Sequence, residues 1–383
     1  MSKSHLWLKQ SKSLSVNNTS DILFLLTRVG LGGEGVWPKE IEVADWNAVI
    51  KLAAAQGVLA ICWDGLQALI KQQQIPAELQ PSRDALLRWA ANIDSIERAY
   101  AKQKAALRKL ATFYSRNGFE MMLMKGYGLS LSYPTPEHRP CGDIDIWLYG
   151  RQQEADELLH KMHGVTINED KHHHTTFNVN GILVENHYDF INVHSHASNI
   201  ELEYELKLLA SDPKREKIEI DGVQITLPSP DFNALFLLKH MAAHFAAIEI
   251  GFRHICDWAI FVRSYGNKVD WDQLKATAER FNMHRFLEVV NLICFDKLGI
   301  DKSHFGDLIG NDVVLADRIL NDIISPEFNQ EQPSGNPIAV IWFKWSRWWA
   351  NRWKHRLVYR DSLMATFFHQ VIAHLRKPKS IWQ

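Results

Sequence analysis

The sequence predicts an α+β protein in which a mixed or antiparallel sheet is flanked by helical regions at both ends. Three observations predict this fold. Apolar residues recur at helical spacing in the first third, strand-like and helix-like segments alternate between Met121 and Phe190, and helical periodicity returns after Pro230. We therefore expect three consecutive regions, namely residues 1–117, 118–228 and 229–383.

The composition is that of a globular chain. Its 383 residues are 46% hydrophobic and 23% charged, with a net charge of −1, so no bulk attraction to duplex DNA or acidic lipid is expected. Four widely spaced cysteines match neither a disulfide framework nor a zinc motif, which predicts reduced thiols in a cytoplasmic protein. The polar first 20 residues and the short apolar run 22–26 predict neither a signal peptide nor a membrane span.

Helix start and stop signals divide the first region. Asn18–Asp21 can cap a helix that begins near Ile22, and residues 45–73 carry a second helical pattern around Gly57. Ser82 can cap a long helix over residues 83–116, which Asn117 and Gly118 end. None of these residues forms a catalytic pattern, so we expect this region to pack on or cover a site.

The central region alternates strands with helices. Helices are predicted after Tyr127 and over residues 152–163, and Asn180-Gly181 is typical of a hairpin turn. Strands are predicted over residues 121–124, 143–148, 172–179 and 182–190.

Asp143 and Asp145 stand two residues apart in an apolar run. On a strand their carboxylates share one face and point outward, while Ile144, Ile146 and Leu148 face a core. Two adjacent carboxylates repel unless a cation lies between them, and Mg²⁺ prefers oxygen ligands of this kind. The pair therefore predicts a site for a divalent cation.

Glu185 is the candidate for a third carboxylate. Strand alternation places it on the same face as His187 and Asp189. It would join Asp143 and Asp145 if the hairpin lies beside their strand; otherwise it is an exposed strand residue.

Four segments together carry a resemblance to a known family. They are Lys125-Gly126, the loop to Arg139, Gly142–Trp147 and Val184–His187. They resemble the DNA polymerase beta-like nucleotidyltransferase superfamily, and more narrowly a family of uncharacterised bacterial nucleotidyltransferases. The resemblance covers about residues 119–261. It implies a nucleotidyltransferase-like sheet core and transfer of a nucleoside monophosphate from ATP or another NTP to a hydroxyl.

The resemblance also implies roles for single residues. Asp143, Asp145 and Glu185 would hold Mg²⁺, or Mn²⁺ in its place, and would be the catalytic carboxylates. On the phosphate side, Lys125 or Arg139 would neutralise charge on the triphosphate, and Gly126 would let the backbone approach it. The superfamily usually has Gly-Ser at this turn, whereas here Lys125-Gly126-Tyr127 is followed by Ser130 as the nearest serine.

Two other functions stay open. A catalytically degenerate nucleotide-binding or scaffold protein would keep the fold without the activity, although the three carboxylates argue against it. A metal-dependent glycosyltransferase also uses Asp-x-Asp, but it requires an α/β nucleotide domain upstream of the motif. The acceptor could be a small molecule, a protein side chain or an RNA end.

Histidines and charged pairs near the motif have two interpretations each. His172 and His174 share a strand face and would suit a transition metal, although a polar strand face beside the cleft is the preferred interpretation. His194 and His196 follow the Glu185 strand, and a place in the same cleft is the less favoured interpretation for them as well. Helix spacing places His240 with His244, and Arg253 with Asp257, as structural pairs.

A tryptophan stripe marks the C-terminal region. Trp342, Trp345, Trp349 and Trp353 fall on one helical face, with basic residues mostly opposite. Such a helix can lie on a membrane or stack on nucleic-acid bases. We expect instead that the stripe packs on the protein's own core.

Overall fold

The computed structural model describes residues 18–247, 250–328, 330, 332–333, 337–367 and 369. Residues 1–17, most of the polar stretch for which no signal peptide is expected, therefore lie outside the described residues. Six strands are described: β1 (Met122–Met124), β2 (Ile144–Trp147), β3 (His174–Val179), β4 (Ile182–His187), β5 (Glu216–Ile220) and β6 (Val223–Leu227).

The described helices precede, interrupt and follow these strands. They are α1 (Asn18–Gly30), α2 (Trp46–Ala55), α3 (Leu59–Lys71), α4 (Arg83–Arg116), α5 (Gly126–Ser130), α6 (Gln152–His163), α7 (Ser198–Ala210), α8 (Pro230–Ala247), α9 (Phe252–Tyr265), α10 (Trp271–Arg280), α11 (His284–Leu298), α12 (Val313–Ile324), α13 (Pro337–Ala350) and α14 (Arg352–Val358). The predicted α+β class is confirmed. Helix α7 was not predicted, because its apolar residues do not follow one clear stripe.

The six strands form one mixed sheet in the order β3-β4-β2-β1-β6-β5. Strand β2 runs antiparallel to β1 and parallel to β4, while β1 runs parallel to β6. The two hairpins β3–β4 and β5–β6 form the opposite edges of the sheet. This order places β2, with its acidic residues, in the middle of the sheet and beside β4.

The two faces of the sheet pack on different cores. Ile144, Ile146 and Val184 pack with apolar residues of α4 and α6. Met124, Trp147 and residues of the chain after β4 belong to a larger core that α7 and α8 help to form. Because side chains alternate along a strand, Asp145 lies on this second face.

The larger core joins the helices at both ends of the chain. Phe24 of α1 contacts Phe252 of α9, with ring centroids 5.0 Å apart, and α1 packs on both α3 and α11. Residues 18–117 are helical, so they contain no α/β nucleotide domain of the kind that a glycosyltransferase would need. The boundaries at residues 117 and 228 stay predictions, because the helical regions share one core.

The tryptophan stripe does not pack as expected. Trp342, Trp345 and Trp349 are 65%, 44% and 50% exposed and stack on one another along α13. Only Trp353 of the four packs inward, against Phe245. The expectation of core packing was therefore wrong for three of the four residues. Among the described helices, none is both long and apolar enough to cross a lipid bilayer.

Candidate active site

A strained turn carries Lys125 to the centre of the site. Strand β1 ends at Met124, which lies opposite Asp145 in the antiparallel ladder. Lys125 and Gly126 then both adopt positive φ angles, of 36° and 38°. A non-glycine residue in this region is strained by on the order of 1–3 kcal/mol, and such strain concentrates at functional sites. The turn directs the lysine ammonium back toward β2.

Asp145 is a buried carboxylate with cationic partners. It is 1% exposed, and its Oδ1 lies 2.9 Å from Lys125 Nζ and 3.2 Å from His187 Nε2. Strand alternation correctly placed this side chain on the face opposite Ile144 and Ile146, and that face is covered by the larger core. A buried charge requires such partners, since burying it alone would cost far more than the pair stabilises.

Glu185 lies directly beside Asp145. The two residues are in register on the parallel strands β2 and β4, and His187 follows two residues later on the same face. Oxygen atoms of Asp145 and Glu185 and a ring nitrogen of His187 all lie within 4.8 Å of one another. The β3–β4 hairpin therefore lies beside β2, as required if Glu185 is the third carboxylate. The catalytic role of Glu185 stays a prediction.

The electrostatics of the cluster are set by burial and by these pairs. Burial opposes ionisation of Asp145, but the Lys125 ammonium and the His187 hydrogen bond hold its pKa well below the usual value. Burial likewise opposes the charged form of His187, yet hydrogen bonds to Asp145 and Glu185 raise its pKa to about 9. Burial also opposes charge on Lys125, whose pKa is nevertheless raised by the carboxylates around it. All three groups are thus charged at neutral pH.

Asp143 lies just before β2 at the edge of the cluster. Its backbone carbonyl accepts a hydrogen bond from Gln103 of α4 at 2.7 Å. Burial and the charges of Asp145 and Glu185 raise the pKa of its carboxyl group. Asp143 is therefore near both other carboxylates, although it is outside the close group that they form with His187.

The donor set fits a divalent cation. Oδ2 of Asp145 is buried and has no hydrogen-bond partner among the described residues. A buried acceptor left in this way costs about 1–3 kcal/mol, and a cation with a preference for oxygen would satisfy it. The carboxylates of Glu185 and Asp143 supply further oxygen ligands nearby. The assignment of Mg²⁺ to these residues stays a prediction.

Arg139 and Ser130 have partners elsewhere. The Arg139 guanidinium forms a bidentate pair with Asp257 of α9, with two N–O distances of 2.8 Å, and Tyr133 donates to the same carboxylate at 2.6 Å. Ser130 is fully buried, and its hydroxyl donates to the Tyr127 carbonyl. In this conformation neither side chain is free to contact a triphosphate, so their phosphate roles stay predictions that the geometry does not favour.

Arg253 does not form the predicted pair with Asp257. Its Nη1 instead donates to the Pro140 carbonyl at 2.9 Å, and Asp257 is bonded by Arg139. Both contacts join α9 to the loop before β2. The loop that presents Asp143 is therefore fixed from the C-terminal helical region.

The remaining histidines considered as site residues lie in different parts of the molecule. His240 and His244 share a face of α8, with ring centroids 4.5 Å apart, and burial and the charge of Lys125 hold the pKa of His240 well below its usual value. His196 stacks on Tyr359, with 3.6 Å between the ring centroids, beyond α14. The His194 ring lies 5.6 Å from that of His172. For His196, the less favoured interpretation of a place in the cleft is therefore not supported.

A cavity opens on the other side of Lys125. It has a volume of about 310 Å³ and lies between the ends of β1 and β6 and the start of α8. Its lining is basic, because Lys125, Lys214, Arg215 and Lys268 all contribute to it. Lys125 thus lies between this basic cavity and the carboxylate cluster.

His187 is the site residue that sequence reasoning undervalued. Strand alternation placed it beside Glu185, but no pattern indicated that its ring would reach Asp145 on the next strand. Tyr133 and Asp257 were also missed as partners of Arg139. Tyr133 is separated from Arg139 in sequence, and Asp257 had been paired with Arg253.

The sequence model of a family described as "Uncharacterised nucleotidyltransferase" matches residues 42–299, well over half of the chain. No curated protein matches the chain. Among solved structures, it is similar to an antigenic nucleotidyltransferase-like protein from Paracoccidioides brasiliensis, with 16% identity, a TM-score of 0.31, and coverage of 43% of this chain and 77% of that chain.

We predict that His187 stabilises the metal-free protein in a pH-dependent way. Its pKa is raised from 6.5 to about 9, so its contribution is full below about pH 6.5 and is lost as the pH rises through about 9. The difference in unfolding free energy between wild type and His187→Gln, measured by urea unfolding in EDTA, should shrink by about 3 kcal/mol across this range. A difference that does not change with pH would contradict the assignment; the exposed His163→Gln variant is the control.

Proposed function

Because the chain belongs to the family of uncharacterised nucleotidyltransferases, we propose that it transfers a nucleoside monophosphate from an NTP to a hydroxyl group, with Mg²⁺ or Mn²⁺ as the cofactor. The observation that carries this proposal is the alignment of Asp145 with Glu185 on neighbouring parallel strands, with Asp143 just before the first of them. Three carboxylates near one another are the ligands that two-metal phosphoryl and nucleotidyl transfer requires.

The carboxylates would hold the metal and position the acceptor. Asp145, Glu185 and Asp143 would bind Mg²⁺, which when bound supplies charge neutralisation for the triphosphate and favours loss of the acceptor's proton. The Glu185 side chain is 19% exposed, against 1% for Asp145. Glu185 is therefore the carboxylate that an acceptor hydroxyl can approach, and Asp145 is the one fixed in the interior.

Lys125 would act on the triphosphate. Its ammonium lies 2.9 Å from Asp145 Oδ1 and neutralises that carboxylate. When a divalent cation takes over that role, Lys125 becomes available for phosphate oxygens. The basic cavity on its other side supports this assignment, since Lys214, Arg215 and Lys268 line a space of about 310 Å³, within the size range of small-molecule sites.

We predict that nucleotide binding depends on a divalent cation. ATP with Mg²⁺ or Mn²⁺ at 100 times Kd should stabilise the protein by about 2.7 kcal/mol in thermal or urea unfolding, and ATP with EDTA should not. Asp143→Asn should lose most of this metal-dependent stabilisation, because it removes a metal ligand at the half-exposed edge of the cluster.

Asp272→Asn is the matched control, since Asp272 is exposed at the start of α10. It should behave as the wild type does. An unchanged stabilisation in Asp143→Asn would place the nucleotide site elsewhere in the molecule.

We predict that Glu185→Gln separates catalysis from nucleotide binding. The substitution keeps the shape of the side chain and removes the charge that acts on the acceptor side. NTP affinity should stay within a few fold, while transfer should fall by on the order of 10²-fold or more. The assay first requires an acceptor, which incubation of the protein with each labelled NTP, Mg²⁺ and cell lysate would identify.

Glu219→Gln is the control for this variant. Glu219 is an exposed residue of β5, at the opposite edge of the same sheet, and its substitution should leave transfer unchanged. Full transfer activity in Glu185→Gln would refute the role of Glu185, and Asp189 would then be the next carboxylate to test.

A further inference from the structure

Three histidines meet beside the carboxylate cluster. His173 and His174 lie at the start of β3, and His174 is directly opposite His187 in the antiparallel ladder with β4. The backbone here is fixed, because the His173 carbonyl accepts hydrogen bonds from the N–H groups of Tyr188 and Asp189, both at 3.1 Å. The three imidazoles are therefore held at one place by the ladder.

The rings face one another in a buried position. Their centroids are 4.3 Å apart for His173 and His174, 5.0 Å for His174 and His187, and 5.6 Å for His173 and His187. His174 is 4% exposed and His187 is 2% exposed. One nitrogen from each ring lies within 4.8 Å of the others.

Several of these nitrogens have no hydrogen-bond partner. Within the described residues, both ring nitrogens of His174 and Nδ1 of His173 are buried without one. Buried polar atoms are nearly always bonded, so a group of unbonded nitrogens in one place indicates a missing partner. Imidazoles that converge in this way share one partner well, namely a metal ion.

We propose that His173, His174 and His187 bind one transition-metal ion of the Zn²⁺, Co²⁺ or Ni²⁺ class, with Glu185 as a fourth ligand. Glu185 is suited to this place because its carboxylate lies 3.5 Å from His174 Nε2 and 3.6 Å from His187 Nε2. Three imidazole nitrogens and one carboxylate oxygen form a four-coordinate site that such ions accept, whereas Mg²⁺ prefers oxygen ligands alone. The inference does not depend on nucleotidyl transfer.

The site needs only small side-chain movements to close. In a four-coordinate site, ligand atoms about 2.1 Å from the ion lie roughly 3.4 Å apart, so the ring nitrogens, now within 4.8 Å of one another, must move closer by roughly 1 Å. Nδ1 of His187 already has a backbone partner, the Asp189 carbonyl at 3.1 Å. A bond from one ring nitrogen to a backbone carbonyl is the usual support of a histidine ligand. Coordination would turn Nε2 of His187 from Asp145 to the ion and release the Nε2 proton to solvent.

Cobalt provides a direct test because its visible absorption reports nitrogen ligation without any enzymatic assay. The full-length protein is stripped with EDTA, dialysed, and titrated with Co²⁺ while absorption and bound metal are measured. We expect one Co²⁺ per chain, a visible band typical of four-coordinate nitrogen ligation, and loss of the band on addition of Zn²⁺. His174→Gln should weaken Co²⁺ binding at least tenfold, by analogy with losses at metal sites.

Three further variants make the test specific. His163→Gln, an exposed histidine of α6, and Asp143→Asn should both keep the band. If His174→Gln does not fold, as judged by circular dichroism in EDTA, the half-buried His173→Gln replaces it. Absence of the band in the wild type, or its survival in the folded histidine variant, would overturn the proposal. Nucleotide-induced stabilisation with Mg²⁺, measured on the stripped protein before Co²⁺ is added, shows independently whether the nucleotidyltransferase proposal holds.

Discussion

The negative charge of Asp145 is the constraint on which the site depends. A carboxylate that is 1% exposed must be matched by cations, and here Lys125 and His187 supply them from the end of β1 and the end of β4. Both partners come from strands that flank β2 directly. The strained turn brings Lys125 to Asp145, and the register of β4 brings His187 to it. These two features therefore stabilise a buried negative charge in the middle of the sheet.

Under the proposed function, the same charge links the observed ion pairs to the binding of a divalent cation. Asp145 uses one oxygen for Lys125 and His187, while its other oxygen is buried and has no hydrogen-bond partner in the described part of the chain. A divalent cation would use that oxygen and displace the two cations already present. Lys125 then faces the basic cavity, and His187 faces the other two histidines. Replacement of Lys125 and His187 by one divalent cation as the partner of Asp145 would thus prepare both the phosphate side and the acceptor side of the cluster.

Local sequence patterns predicted the elements and the faces, but not what covers them. Strand alternation put Asp145 and Glu185 on the faces of their strands opposite the apolar residues Ile144 and Val184. Capping signals placed α4 at its observed bounds. Alternation could not show that helices of the C-terminal region bury Asp145, because those contacts join residues far apart in the chain. Helix spacing likewise paired Asp257 with Arg253, whereas its actual partner is Arg139, 118 residues earlier.

We propose that a nucleotide-bound divalent cation replaces Lys125 as the partner of Asp145. Anomalous diffraction from crystals of the protein with Mn²⁺ and a non-hydrolysable NTP analogue would test it most directly. We predict a manganese peak within bonding distance of the Asp145 and Glu185 carboxylates, next to the phosphates, with Lys125 Nζ moved from Asp145 to a phosphate oxygen. A manganese peak away from these carboxylates, or a nucleotide bound while Lys125 still pairs with Asp145, would contradict the account.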